Sequence, residues 1–372
     1  TLYHLIFIVK IKNIMTVCIL GNNLTALTLA KALVNNEIEV HILFNKKNYK
    51  ISNLRTIGIT KNNIEFFNNN IINIEKIIWK LKKIEIFSEN LKNEKLINFK
   101  ANNDHLFSIF KNHKLYKLLE QNLLKKKLFK FKFYNEKNIS LLKKYEIIIN
   151  CDPYNLIAKK YFSKKISKKY NSYAYTTIIK HDEIQNNTAI QIFTNKGPLA
   201  FLPISNKETS IVYSVHNSKE KNINIEKLIR DKNFKYKIRS LEKIDSFELT
   251  SLNLRSYYYK NILAFGDVLH KIHPLAGQGF NMTVRDTKTL LEIIKKKLDL
   301  GLPLDTSVNL EFQKKIRHKN FIFSNGIDLI HEFFNIERKM TTSYLSKSVK
   351  TISNYPSINK IFTKIADKDI LF

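Results

Sequence analysis

Cysteine is nearly absent from this sequence: Cys18 and Cys151 stand alone among 372 residues. They lie far apart and form no Cys-x-x-Cys spacing, which argues against a disulfide framework or a zinc site and suits a reducing compartment. Glycine (8) and proline (6) are scarce as well, and no stretch rich in either divides the chain into separate beads. No apolar run reaches the about 18 residues of a membrane-spanning helix. The short run Leu5-Ile6-Phe7-Ile8-Val9 is followed by Lys10 and Lys12, the reverse of the order in a signal peptide. Met15 stands directly before a good first strand, so residues 1–14 are expected to be a non-native or disordered extension with no role in the fold.

Acidic residues are also few, 32 against 63 Lys+Arg, for a formal charge of +31. Charge alone suggests a nucleic acid or an anionic membrane as partner. The lysines are spread along the chain, and no RRM, KH, helix-turn-helix or zinc pattern accompanies them, so nucleic acid is not expected. Crowding by Lys, Asn and Ile is what drift toward AT-rich codons produces. A basic surface still favours an anionic membrane or an anionic cofactor. The 44% apolar content is that of a globular protein, and the length allows one large core or two domains sharing an interface.

Val17-Cys18-Ile19-Leu20 is a short apolar run ending at Gly21. Leu24, Leu27, Ala30 and Leu33 follow with helical periodicity, and Val40-His41-Ile42-Leu43-Phe44 is a second strand. Strand, Gly turn, helix and strand make a βαβ unit, with the helix N-terminus where a phosphate would sit. Residues 62–100 mix short apolar alternations with Asn/Lys turns. Residues 115–127 read as a helix, and 145–150 as a buried strand. Residues 172–215 read as antiparallel, with strands at 188–194, 199–204 and 209–215. A strand at 261–265 closes on Gly266. A helix at 283–300 stops at Gly301 and Pro303, and the remainder, including 312–339 and 345–364, reads as helical. Both cysteines fall at or beside strand ends and are expected in the core.

The most informative stretch runs from Ile262 to Asn281. An apolar strand delivers Gly266 and Asp267, Pro274, Gly277 and Gly279 shape a turn, and a helix begins near Asn281. Glycine permits close backbone approach to a ligand, Asp at a strand end accepts from sugar-like hydroxyls, and a helix N-terminus favours negative charge. This stretch resembles the second flavin motif of the class A FAD-dependent aromatic monooxygenases, the para-hydroxybenzoate hydroxylase-like flavoproteins. It is closest to their ubiquinone-biosynthesis branch, through Gly266, Asp267, His270, His273, Pro274, Leu275, Ala276, Gly277, Gln278, Gly279 and Asn281, followed by Arg285-Asp286. Further similarity lies in Gly197-Pro198-Leu199-Ala200-Phe201-Leu202-Pro203, Arg55-Thr56-Ile57-Gly58-Ile59, Asn112-His113-Lys114-Leu115, Cys151-Asp152-Pro153 and Phe323-Ser324-Asn325-Gly326-Ile327.

The resemblance implies an α/β fold. A Rossmann-like FAD-binding domain (15–73, 100–165 and 255–330) is interleaved with an antiparallel β-sheet substrate domain (74–99 and 166–254), ahead of a helical C-terminus (331–372). It implies FAD as cofactor and NAD(P)H as co-substrate, with hydroxylation of a polyprenylated phenol in ubiquinone biosynthesis through a flavin C4a-hydroperoxide. The implied setting is bacterial and cytoplasmic, peripheral at an anionic inner membrane, beside other ubiquinone-biosynthesis proteins.

The implied cofactor contacts are Gly21, Asn23, Ala26, Asn45, Arg55, His113, Gly266, Asp267, Gly277, Gln278, Gly279 and Asn281. His273, Pro274, Gly277 and Gly279 surround the flavin ring, and no catalytic side chain is singled out. Each assignment has a plainer counterpart: Asp267 as a turn cap, Gly277 and Gly279 as turn glycines, Asn281 as an N-cap, Arg55 as a surface arginine. His270 and His273 lack further ligands nearby, so a structural or substrate-side role is expected ahead of metal binding or base catalysis.

The chain departs from the family pattern at the adenosine end. Asn23 and Ala26 replace two glycines of Gly-x-Gly-x-x-Gly, and Phe44 and Asn45 stand where an acid would hold the ribose. His113 replaces an Arg, and Pro153 a Gly. The sequence therefore leaves open a working hydroxylase, one for a soluble aromatic, and a flavin-poor, non-catalytic scaffold.

Overall fold

The computed structural model describes residues 16–45, 51–89, 95–100, 105–135, 139–216, 224–272 and 278–340. The first 14 residues, residues 273–277, where a turn is expected, and the segment after 340, including the helix expected at 345–364, lie outside the described residues.

The chain opens with strand β1 (Thr16–Leu20), helix α1 (Leu24–Val34) and β2 (Glu39–Phe44). Then come β3 (Thr56–Thr60), α2 (Lys61–Asn70), β4 (Trp79–Leu81), β5 (Lys83–Ser88) and β6 (Lys95–Lys100). Next are β7 (Phe107–Lys111), α3 (Asn112–Leu123), β8 (Phe129–Phe133), β9 (Ile147–Asn150) and α4 (Leu156–Tyr161). The antiparallel stretch holds β10 (Lys165–His181), β11 (Thr188–Thr194), β12 (Gly197–Pro203), β13 (Glu208–His216), α5 (Ile225–Lys232), β14 (Ile238–Leu241) and β15 (Asp245–Leu254). The chain returns through β16 (Tyr258–Tyr259), β17 (Ile262–Ala264), β18 (His270–Lys271), α6 (Gln278–Asp299) and α7 (Thr306–Met340).

A six-stranded sheet runs β16-β17-β9-β1-β2-β8. All its pairings are parallel except β16 with β17. The chain leaves β1 toward β2 on one side and returns to β9 on the other, so the crevice of this sheet opens at the carboxyl end of β1. Strands buried on both faces need continuous apolar runs, which Val17-Cys18-Ile19-Leu20 and Ile147-Ile148-Ile149 supply. Every residue of α1 is buried, because the helix lies between this sheet, α3 and α6. Each leucine it hides contributes roughly 2 kcal/mol.

A nine-stranded sheet runs β18-β15-β10-β13-β12-β11-β5-β6, with β14 also on β10. It is antiparallel except where β11 meets β5. A smaller antiparallel sheet runs β3-β7-β4. The expected α/β class, with a Rossmann-like unit, an antiparallel sheet and a helical end, is borne out. Sheet membership crosses the expected domain limits at two points: β4 pairs with β7, and β18 edges the large sheet.

Three local expectations need correction. Residues 61–70, expected as alternations and turns, form helix α2. Its Asn and Lys residues mask a pattern in which only Asn63, Ile64 and Phe67 are buried. The helix expected at 115–127 starts at Asn112 and ends at Leu123. The helix expected from 283 starts at Gln278 and ends at Asp299, before Gly301 (φ 66°).

Candidate functional site

Gly21 ends β1 with φ 112°, a left-handed conformation that favours glycine, and its N–H donates to the Leu43 carbonyl at 2.9 Å. A Cβ there would stand 3.1 Å from Asp152 Cβ, so Gly21 also lets the β9 exit pass close by. Asn23 caps α1: its Oδ1 accepts from the Ala26 N–H at 2.9 Å. Its Nδ2 donates to the Cys151 carbonyl at 2.6 Å. The side chain that replaces a family glycine is thus turned into the fold, tying α1 to the end of β9. Gly266 (φ 60°) follows β17, and a Cβ there would lie 2.6 Å from Thr25 Cγ2. The glycine is what allows the first turn of α1 to reach the end of β17.

These elements frame one end of a cavity of about 360 Å³. Asn23, Leu24 and Thr25 of α1, Asp267, and Gln278 and Gly279 of α6 line that end, with Arg55 and Asn112 alongside. The large sheet supplies the opposite wall, largely apolar, through residues such as Ile190, Ala200, Leu202, Val212 and Leu249. Thr56 and Ser210 place hydroxyls 2.7 Å apart on this lining. Arg55, Asp267, Lys271 and Phe247 line the cavity and are also exposed.

Of the predicted contacts, Asn23, Arg55, Asp267, Gln278 and Gly279 meet in this cavity, while Gly21, Ala26 and Gly266 shape its frame. His273, Pro274 and Gly277 lie outside the described residues. Gly279 has open space, with Ile272 Cγ1 the nearest atom to a built Cβ at 4.0 Å, so packing within the protein does not require a glycine there.

Three expected contacts stand elsewhere. Asn281 is neither a cap nor a cavity residue. Its Oδ1 accepts from the Thr60 N–H (3.1 Å) and Asn63 Nδ2 (2.9 Å), and its Nδ2 donates to the Gly58 carbonyl (3.1 Å). The amide therefore pins α6 to β3 and α2. His113 is not among the residues that line the cavity. Burial, and then Lys111, Lys117 and Lys114, lower its pKa, so it is poorly placed to carry the charge of the expected arginine. Asn45 follows Phe44, whose ring packs edge-on against Phe131 at 5.1 Å and Phe133 at 6.3 Å. Aromatic packing thus occupies the strand end where an acid was expected.

Asn112 and the lining residues Pro198, Ala200 and Leu202 lie in segments matched to the family, but no contact was assigned to them. Asn112 Oδ1 and Gln278 Oε1 are buried acceptors with no partner among the described residues, and both residues line the cavity. Such orphans carry a cost of about 1–3 kcal/mol unless a donor satisfies them. Hydroxyl- and imide-bearing FAD offers such donors. With a glycine-ended strand, a helix N-terminus and Asp267 at the same end, the residues present fit that cofactor. The Phe44–Asn45 strand end, which offers no carboxylate, and His113, in place of an arginine, do not match.

His270 also lines the cavity, and its Nε2 lies 2.7 Å from Asp286 Oδ2, with both side chains buried. Asn320 Nδ2 donates to both Asp286 oxygens at 3.3 Å. Arg285 stacks on the Phe323 ring, its guanidinium carbon 4.4 Å from the centroid. The Arg285-Asp286 pair thus ties α6 to β18 and α7.

No family model matches the chain. In sequence it is 22% identical over 262 residues to the Drosophila melanogaster mitochondrial ubiquinone biosynthesis monooxygenase COQ6, covering 59% of this chain and 55% of that protein. It is 29% identical over 153 residues to the Escherichia coli 3-demethoxyubiquinol 3-hydroxylase, covering 39% of each. The matched stretch thus spans about half, or less, of these relatives' length. In structure it is similar to PqsL, a probable FAD-dependent monooxygenase from Pseudomonas aeruginosa. The TM-score is 0.69 at 13% identity, over 93% of this chain and 99% of that one. It is also similar to the p-nitrophenol 4-monooxygenase PnpA from Pseudomonas putida, with a TM-score of 0.74 at 11% identity, over 95% and 99%.

Proposed function

We propose, for a chain with the fold of FAD-dependent monooxygenases and sequence similarity to ubiquinone-biosynthesis hydroxylases, that it hydroxylates the ring of a polyprenylated phenol, with FAD as cofactor and NAD(P)H as reductant. One observation carries this reading: a single cavity joins a polar end built from Asn23, Asp267 and Gln278 to an apolar wall of antiparallel strands. Flavin supplies the activation of O₂ and the transfer of oxygen to the ring. The protein's part is to hold, orient and keep dry.

Asp267 would accept from the ribityl hydroxyls of bound FAD, and the N-terminus of α1 would favour its diphosphate. Arg55, at the exposed rim, adds a cation for the same phosphates. Gln278 Oε1 and Asn112 Oδ1 gain donors from the cofactor or the substrate. His273, Pro274 and Gly277 belong to the flavin-ring surroundings on the resemblance alone. The apolar wall orients the aromatic ring and excludes water, and the hydroxyls of Thr56 and Ser210 are one polar contact that the lining offers a phenol oxygen. A cavity of about 360 Å³ sits near the lower end of the small-molecule range of roughly 300–1,000 Å³. A long prenyl tail therefore leaves through the mouth, where Phe247 is 41% exposed. A tail of that kind keeps its substrate in a bilayer and the protein peripheral to it, in the company of other ubiquinone-biosynthesis proteins.

The packing of Phe44 on Phe131 and Phe133 favours a second reading, a scaffold that holds little flavin. One assay separates them. The chain is incubated with FAD, NADH or NADPH, a short-tailed prenyl phenol and isotopically labelled O₂. Label in the ring product supports the hydroxylase. Product from unprenylated phenols only moves the assignment to soluble aromatics, and no product from either leaves the scaffold.

A further inference from the structure

At the β16 edge of the six-stranded sheet, α4 and the β16–β17 turn meet. Tyr161 and Tyr259 stack there with centroids 4.2 Å apart and planes 11° off parallel. Lys160 Nζ lies 5.3 Å from the Tyr161 centroid, and Lys260 Nζ lies 5.7 Å from that of Tyr259. The two segments are joined again where the Arg255 N–H donates to the Lys164 carbonyl at 3.1 Å, and Lys165 pairs with Leu254 across the β10–β15 ladder. This is one continuous surface.

Its composition is one-sided. Residues 154–166 and 255–261 carry Lys159, Lys160, Lys164, Lys165, Arg255 and Lys260, all exposed, and no acidic residue. None of these six cations is ion-paired among the described residues. Elsewhere lysines find acids, as Lys130 does with Glu39 and Lys168 with Glu332. Large apolar groups stand among the cations: Tyr154 is 71% exposed, Ile166 50%, Leu156 47% and Tyr259 40%. A solvated charged face has no use for such groups, and a dry protein interface depletes lysine. Aromatic rings with polar tips, aliphatic side chains and long-stemmed lysines together match the headgroup region of a bilayer.

We propose that this edge is the surface by which the chain docks on an anionic phospholipid bilayer, with Tyr154, Leu156, Ile166 and Tyr259 entering the headgroup layer and the cations contacting lipid phosphates. Its use rests on the tailed substrate proposed above; its binding does not. The β10–β15 ladder links it to the active cavity, since Thr176 of β10 and Phe247, Leu249 and Thr250 of β15 line that cavity.

The test is flotation of the full chain with vesicles of pure phosphatidylcholine and of phosphatidylcholine containing phosphatidylglycerol, with flavin content measured on the same samples. Binding is expected to the anionic vesicles alone and to weaken as salt rises. Each lysine near an anionic surface strengthens binding about fivefold, so Lys160→Gln/Lys260→Gln lowers affinity roughly 25-fold. Lys125→Gln/Lys127→Gln, equal in charge but beside β8 at the other edge of the sheet, stays near the parent. Tyr259→Ser lowers the fraction that survives high salt. Melting temperature and flavin content hold in all three variants. Equal losses in the two lysine pairs would show diffuse basicity and overturn the proposal. So would equal binding to neutral vesicles, no flotation, or capture by RNA or acidic protein that outcompetes vesicles at this surface. Loss of flavin with intact flotation would count against the hydroxylase reading and leave the docking surface standing.

Discussion

His270 Nε2 and Asp286 Oδ2 are 2.7 Å apart, sixteen residues apart in sequence, and both side chains are almost wholly buried. The pair joins β18, which edges the large sheet, to α6, which packs against α1 and β3. Asn320 of α7 completes the carboxylate's shell. Nearby Tyr257 has its phenol pKa pushed up by burial and then by the Asp286 charge, so it stays protonated. Removing one partner of a buried pair leaves the other uncompensated, at a cost of about 3–5 kcal/mol. Asp286→Ala is therefore expected to lower stability by about 3 kcal/mol in urea unfolding. Asp286→Asn, whose amide oxygen still accepts from His270, should lose less. Equal losses would deny the carboxylate its role.

Asn281 offers a second check on how the site is held. Its amide serves the Thr60 N–H, Asn63 Nδ2 and the Gly58 carbonyl. Asn281→Leu strands buried polar groups and is expected to cost about 2–4 kcal/mol. Flavin affinity should fall only as far as folding does, measured as bound flavin per folded molecule. A specific loss of flavin from a fully stable variant would return Asn281 to the cofactor.

The Gly266–Thr25 contact predicts a pairwise effect. Gly266→Ala places a methyl 2.6 Å from Thr25 Cγ2 and holds alanine at φ 60°, itself worth about 1–2 kcal/mol. Thr25→Ser removes Cγ2. The double variant should melt above Gly266→Ala alone, and additive melting shifts would show that the two do not meet.

Much of this fold was legible because parallel strands buried on both faces need unbroken apolar runs and a helix between sheets needs an apolar stripe. Val17 to Leu20 and Leu24 to Leu33 show both. The Gly266-Asp267 stretch was legible because it concentrates backbone geometry and ligand chemistry in one segment. Helix α2 was not: in Lys61–Asn70 the Asn residues imitate turn chemistry, and the packing of Ile64 and Phe67 decides the outcome. The roles of Asn23 and Asn281 were also hidden, since partners such as the Cys151 carbonyl and the Thr60 N–H are distant in sequence. The cavity wall is drawn from many strands, and only the Gly197–Pro203 segment, through Pro198, Ala200 and Leu202, gives it a linear signature.

The β8 edge of the six-stranded sheet predicts a pH effect. Lys130, bonded to Glu39 Oε1 at 2.6 Å, is the largest cause holding the Glu39 carboxyl at about 2; burial opposes it, and Thr16 and His41 assist. A carboxylate held below its unfolded value stabilises the fold above about pH 4.5 and loses that contribution as pH falls through about 2. Lys130 is half exposed, so solvent screens the pair, and Glu39→Gln should lower stability at pH 7 by about 1 kcal/mol, with the difference from the parent shrinking between pH 4.5 and 2. A constant difference across that window would contradict the assignment.

Flavin occupancy tests the central claim most directly. The full chain is purified with excess FAD, freed of unbound flavin, and its visible spectrum recorded beside that of Asp267→Ala. Near-stoichiometric FAD in the parent, with at least a tenfold weaker hold in the variant, is the predicted result. A folded parent that retains no flavin, and whose melting temperature does not move in micromolar FAD, would contradict the account and leave a scaffold in place of an enzyme.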